Sequence, residues 1–290
     1  MNVRPVNDGR AASHDPAGTV LVGPASLDRY VEEGRVLPGG GALNMAYHWA
    51  ALGMPFTFVS RVGADGPEVF APFLARHGIH TLPSLEAPGP DAQSASIDIV
   101  IRADRQPWMD HFVEGVWTGF RLTPAEEAVV AAAQHVHFVL VDAVVDDVLR
   151  LGPAGALDGP EVAADFLSFR HFDLPRFEQV MPWVQVGFVG WPGEAADPMV
   201  EAIGAVALRL GRLLVVTLGG DGMRVFDGRA GVPAEGRVRF VPITRVEVAG
   251  TTVGCGDSFI AAFLERWWAS DSAGLDAAAR LDAALAAGAA

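Results

Sequence analysis

A single cysteine, Cys255, in 290 residues leaves no partner for an internal disulfide and no thiolate set for a zinc site. Its lone thiol suits a reducing, cytoplasmic setting. Positive charge is also scarce: 21 lysines and arginines stand against 35 aspartates and glutamates, a net charge of −14. That balance excludes the basic face a duplex nucleic-acid binder needs. It does not exclude small anions, which backbone N–H groups bind locally. Long apolar runs are missing too. The most apolar region, "AVVAAAQHVHFVLVDAVV", is interrupted by Gln134, His135, His137 and Asp142, so no membrane span is expected. The opening "MNVRPVNDGRAASHDPAG" has no apolar centre and is no signal peptide; residues 1–17 are expected to be a disordered leader. The eight histidines show no His-x-x-x-His or similar ligand spacing, which argues against a protein-built zinc site.

What is there is apolar residue in quantity, half of the chain, enough for one large α/β domain or two small ones. "TVLVG" (19–23) and "FTFVSRVG" (56–63) read as strands. Between them Asn44 to Leu52 reads as a helix closed by Gly53 and Pro55. A second helix follows Pro67 and ends at Gly78. From Thr123, "TPAE" is a capping box with proline at the first helical position. Strand and helix candidates then alternate through His135–Val141, Ala143–Leu151, Val162–Phe166, Val184–Val189, Pro198–Leu210 and Leu213–Thr217. Such alternation predicts a parallel sheet with helices on both faces, and "FDG" (226–228) predicts an antiparallel edge. "DRYVEEGRV" (28–36) and "SIDIVIR" (96–102) stand outside this rhythm and read as a small flap of sheet.

Two glycine-rich segments carry the candidate chemistry. In "TTVGCGDSF" (251–259) the glycines precede an apolar stripe of Phe259, Ala262, Phe263 and Trp267 at helical spacing, so a helix begins near Asp257. One reading makes Asp257 an N-cap, worth about 1 kcal/mol. The other starts from the glycines, which a cap does not need. They let backbone N–H groups point together at an anion with the positive helix end behind them. A carboxylate there could take the proton of an attacking hydroxyl. "PGGGALN" (38–44) also precedes a helix, and could be no more than a flexible turn. No lysine follows the glycines as in a P-loop, and their spacing differs from the dinucleotide fingerprint.

Taken together, these segments resemble the PfkB, or ribokinase-like, family of carbohydrate kinases, from about Thr19 to the C-terminus. Gly39-Gly40 with Asn44 is similar to that family's first signature, and "TTVGCGD" to its second. "RVGADG" (61–66) and "TLGGDG" (217–222) resemble two further turns, in family order. The resemblance implies a three-layer αβα domain over residues 18–290, with a mostly parallel central sheet and a small β lid near 28–37 and 94–116. It implies Asp257 as general base, with Gly254, Cys255 and Gly256 as the backbone anion hole. Asp28, Gly39, Gly40 and Asn44 would hold sugar hydroxyls, although Asp28 alone reads equally as a solvated strand-end acid. Thr217, Gly219 and Gly222 would line an ATP site, and Glu194 would act on Mg2+ indirectly, the ion arriving with ATP. "DRY", "EGV" (114–116) and "ADF" (164–166) look like the fructoselysine 6-kinase branch, implying a fructosamine phosphorylated on a primary hydroxyl.

The pattern departs from the family in three places. Thr251 stands where an aspartate helps bind a monovalent cation, so dependence on potassium is expected to weaken or vanish. Trp191 stands for the asparagine of Asn-x-x-Glu, of which Glu194 remains. The closing "LAAGAA" comes where relatives carry another element beside the nucleotide. These departures keep open an inactive sugar- or nucleotide-binding sensor, and a nucleoside kinase of the same family is the other alternative. The apolar face of Ile97, Ile99 and Ile101 is expected to pack over the sugar or against a second subunit's flap, giving a homodimer.

Overall fold

Within the first strand Val20 and Val22 face one apolar layer and Leu21 the other. A strand buried on both faces belongs inside a sheet clothed by helices. The computed structural model describes residues 18–87, 89–103, 105–244, 250–270 and 275–290, and the expected leader, 1–17, lies outside them. The first half runs β1 (Thr19–Val22), β2 (Ser26–Tyr30), β3 (Arg35–Gly39), α1 (Gly41–Ala51), β4 (Phe56–Val59), α2 (Pro67–His77), β5 (Ala95–Ile101) and β6 (Pro107–Val113). Then come α3 (Pro124–Ala132), β7 (His135–Val139), α4 (Asp142–Leu151), β8 (Glu161–Asp165), α5 (Leu174–Val180), β9 (Val186–Gly190) and α6 (Pro198–Arg209). The last part holds β10 (Leu213–Thr217), β11 (Met223–Asp227), β12 (Val238–Val241), α7 (Cys255–Ala269) and α8 (Ala277–Ala289).

Eight strands form one sheet in the order β12-β11-β10-β9-β8-β7-β1-β4. From β4 to β10 the neighbours are parallel, and β11 and β12 add an antiparallel edge. Trp49, Phe70, Phe263, Trp267 and Leu281 bring α1, α2, α7 and α8 onto one face. Val130, Val144, Phe177 and Ile203 bring α3 to α6 onto the other. The architecture is therefore a three-layer α/β sandwich. A second sheet, ordered β3-β2-β5-β6, stands apart. Among the described residues no helix is long and apolar enough to cross a membrane.

The structure fixes four local details. "DRYVEEGRV" is not one strand but the turn of a hairpin, β2 to β3, with Gly34 at φ 60° supplying the left-handed residue the turn requires. The antiparallel edge is made by two turns, Leu218–Gly222, where Leu218 N–H donates to the Gly222 carbonyl, and the expected one, which "FDG" opens between β11 and antiparallel β12. The alanine-rich end is a helix, α8, whose Leu281, Ala284 and Leu285 are buried. Helix α7 begins at Cys255, two residues before Asp257.

The capping box at Thr123 forms, and it is part of a larger strut. Glu126, 1% exposed, accepts from Thr123 N–H at 2.7 Å and from both terminal nitrogens of Arg61 at 3.0 Å. Burial pushes the Glu126 carboxyl up, but hydrogen bonds from Arg61, Ser84 and Thr123 outweigh it and hold the group below its ordinary value. Two residues on, Gly63 N–H donates to Ser94 Oγ at 2.9 Å, and Ser94 N–H donates to Asp65 at 2.7 Å. The "RVGADG" segment thus anchors the root of β5 rather than touching the cleft. Glu126→Gln leaves a buried guanidinium without its counter-ion, and removing one member of such a pair costs about 3–5 kcal/mol. Urea denaturation at pH 8 should show a loss of that size, shrinking as the pH falls and the native carboxylate is itself protonated.

Candidate active site

Parallel strands deliver their carboxyl ends to one side of the sheet, where open α/β folds bind ligands. Here those ends, the turn before α1, the start of α7 and the inner face of the small sheet enclose a cavity of about 300 Å³. Its wall includes Asp28, Gly40, Asn44, Thr217, Gly254, Gly256 and Asp257, seven residues expected at the site from sequence. Gly39, Cys255, Gly219, Gly222 and Glu194 do not line it.

Asp257 is the third residue of α7. The N-cap is Gly254, left-handed at φ 77°, and no side chain among the described residues caps the helix. The capping role is therefore not the one Asp257 has. Its Oδ2 accepts from Asn44 Nδ2 at 2.7 Å, tying the two glycine-rich segments together across the cleft. Burial pushes the carboxyl up to about 7, against the Asn44 hydrogen bond, and the nearby Asp165 and Asp28 charges push the same way. Beside it the first turn of α7 presents N–H groups. Cys255 N–H donates to the Thr252 carbonyl at 3.2 Å, whereas those of Gly254, Gly256 and Asp257 meet no backbone carbonyl among the described residues. A proton acceptor adjoins anion-binding donors at a helix N-terminus. The Cys255 thiol is free and exposed. The Thr251 hydroxyl accepts from Val253 N–H at 3.2 Å.

Asp28 is not a solvated strand-end acid. It is 7% exposed, and Ser26 Oγ donates to its Oδ1 at 2.6 Å. Burial raises it to about 6 despite that bond. The carboxylate lies directly over the backbone of Gly39, and a methyl group there would overlap it. Gly40, at φ 95° and packed against the Pro24 carbonyl, has room for no side chain. The glycine triplet is a platform that lets the chain pass under one carboxylate.

Around the far end of the sheet Thr217 terminates β10 and Gly222 (φ 114°) closes the Leu218–Gly222 turn against the Val241 carbonyl. Gly219, also left-handed at φ 57°, has open space where a side chain would begin. Glu194 is exposed on the loop after β9. The Trp191 ring is tilted against that of Phe169 at 5.8 Å, so the residue in the asparagine position packs against the core as a hydrophobe.

Two charged cavity residues have no role in the sequence reading. Asp165 ends β8, is 5% exposed, and burial raises its carboxyl to about 7, its bond from Leu167 N–H notwithstanding. Arg170 sits at the exposed end of the same loop. The available signal was a lone acid closing an apolar strand, "EVAAD", ahead of an arginine.

Residues 188–290 match the model of the pfkB family carbohydrate kinases. The fructoselysine 6-kinases of Escherichia coli and Shigella flexneri are each 28% identical to this chain over 248 residues, covering 85% of it and 87% of the relative. Among solved structures, ribokinase from Giardia lamblia superposes with a TM-score of 0.73 at 20% identity, covering 94% of this chain and 91% of that one. Arabidopsis thaliana ribokinase complexed with ribose and ATP gives 0.69 at 20%, with 94% and 91% covered. Burkholderia thailandensis nucleoside kinase in complex with inosine gives 0.65 at 18%, with 94% and 90% covered. The fold is ribokinase-like.

Proposed function

We propose that this chain, whose residues 188–290 match the pfkB family of carbohydrate kinases, is a kinase that transfers the γ-phosphoryl group of ATP to a primary hydroxyl of a ketose derivative, a fructosamine. The observation that carries the reading is Asp257, linked to Asn44 and seated on unengaged helix N–H groups in the cleft. Asp28, Gly40 and Asn44 hold sugar hydroxyls, orienting the primary one toward Asp257. Asp257 takes that hydroxyl's proton as its oxygen bonds the γ-phosphorus. The bond from phosphorus to the β–γ bridging oxygen breaks, and ADP leaves. The N–H groups of the α7 turn receive the negative charge of the transferring group. The Leu218–Gly222 turn, with Thr217, lies along the nucleotide.

Among the described residues no group of three or more His, Cys, Asp or Glu could cage a metal. Mg2+ would arrive with ATP, and exposed Glu194 would reach it through water. Bound there, it supplies charge neutralisation at the phosphates.

Asp257 must be ionised to accept a proton, so kcat/KM should fall about tenfold per pH unit below roughly 7 and level off above it. A profile flat from pH 5.5 to 8.5 would remove the base. The four-stranded sheet acts as a lid, its Ile97 over the sugar. Its edge strand β6 exposes Trp108, Phe112 and Val113, and pairing of two lids there gives a homodimer. Sedimentation at micromolar concentration should report a dimer that Trp108→Glu dissociates. The assignment itself is tested by ATP consumption across fructose, fructosamines, ribose and inosine. Turnover of a fructosamine above the others supports it, and turnover of inosine alone makes the protein a nucleoside kinase.

A further inference from the structure

The loop after β8 holds two non-glycine residues in the left-handed region, Leu167 at φ 55° and Phe169 at φ 64°. Each such residue costs on the order of 1–3 kcal/mol, and such strain collects at ligand sites. Three features fix it. Asp165 Oδ1 accepts from Leu167 N–H at 2.8 Å, the Leu167 carbonyl accepts from Gly190 N–H at 2.8 Å, and Phe169 is buried against Phe177 and Trp191. The strained loop brings two opposite charges to one cavity, Asp165 at its floor and Arg170 at its mouth.

Neither charge is used up locally. The Oδ1 of Asp165 serves the turn, while its Oδ2 receives no hydrogen bond among the described residues. Arg170 gives Nε to His171 Nε2 at 3.1 Å, and its guanidinium lies 5.5 Å from the ring of Phe112 on the lid. His171 is in turn held by Asp142 at 3.1 Å. The two terminal nitrogens of Arg170 donate to no described residue. A guanidinium oriented on both sides with its fork free suits a carboxylate. A buried carboxylate with a free oxygen suits an ammonium group.

We propose that Asp165 and Arg170 form the subsite for an amino-acid substituent on the sugar, Asp165 binding the sugar-linked ammonium and Arg170 the carboxylate beyond it. The inference rests on the ketose-derivative reading above and adds its chemical class: an N-substituted 1-amino-1-deoxyketose whose substituent bears an acid. Neutral sugars fill only the Asp28 and Asn44 end of the cavity. They leave Asp165 close to Asp257, where its charge opposes formation of the base. An ammonium group between the two relieves that repulsion.

The test compares fructose, N-butyl-1-amino-1-deoxyfructose and N-(1-deoxyfructosyl)glycine, with the whole chain and ATP. Wild-type kcat/KM should rise in that order. Asp165→Asn keeps an acceptor for Leu167 N–H, so the loop persists and only the charge goes. The preference for the butylamine over fructose should then drop by about 10- to 100-fold, the range of a charged hydrogen bond. Arg170→Gln should instead erase the preference for the glycine derivative over the butylamine. Equal loss on all three substrates by either variant makes that residue merely structural and overturns its role. Wild-type turnover of fructose but not of the amines overturns the subsite and leaves the ketose kinase standing. Turnover of none of the three overturns the ketose reading and the subsite with it.

Discussion

Asp257→Asn is expected to lower kcat by at least about 10²-fold and, above pH 7, to raise the melting temperature. The first effect follows from position. The side chain lies in the cleft beside unengaged helix N–H groups, and an amide of the same shape cannot accept the proton. General-base losses run to about 10²–10⁴-fold, and phosphoryl transfer keeps part of its rate through positioning and charge stabilisation. ATP affinity should hold, because the amide leaves the α7 turn intact. The new amide oxygen still accepts from Asn44.

The second effect follows from linkage. The carboxyl rises from 3.8 to about 7 on folding, so the folded chain holds the proton more tightly than the unfolded one. The stability this gives is fully present below the unfolded value and is lost as pH climbs through about 7. Asp28 and Asp165 shift in the same direction. An uncharged amide escapes that loss at pH 8 and gains nothing at pH 4, so melting curves at the two pH values should separate only at the higher one. A helix-capping aspartate would behave oppositely, with kcat untouched. Near-normal kcat in the folded variant would end the general-base assignment.

The same residues show what the sequence made legible. Periodicity found the alternating strands and helices of the sandwich because burial on one stripe or two faces leaves a local trace. It missed α5 and the edge strand β6, the latter exposed along nearly its whole length and so without alternation. Helix α8 was hidden by its alanines, which give a weak apolar signal although Leu281 and Leu285 are buried. Within the site, the glycine-marked residues could be read because glycine records a backbone constraint. Asp165 could not. Its character comes from the parallel pairing of β8 with β7 and β9, which sets its carboxyl beside segments about a hundred residues away in sequence, and no local pattern encodes that.

Gly39→Ala is expected to cut kcat/KM about as severely as removing Asp28 itself, although Gly39 touches no substrate. A methyl group on Gly39 would overlap the Asp28 carboxylate, and both of its oxygens stand in the way. The carboxylate is the part able to move. It is hydrogen-bonded on one side to Ser26 Oγ, and its backbone is pinned in register with β3, Asp28 opposite Leu37. Turning the side chain away breaks the Ser26 bond and takes the acceptor off the sugar. Losing a charge-assisted hydrogen bond to a substrate hydroxyl costs roughly 1.5–3 kcal/mol, about 10- to 100-fold. The loss should fall mainly on KM, with Asp257 still in place to take the proton. Additivity separates this account from a general disturbance of the turn. Asp28→Ala removes the obstruction, so adding Gly39→Ala to it should lower kcat/KM by less than about twofold more. If the two losses multiply instead, Gly39 acts through the backbone of the glycine platform, and the close approach of chain and carboxylate is incidental to binding.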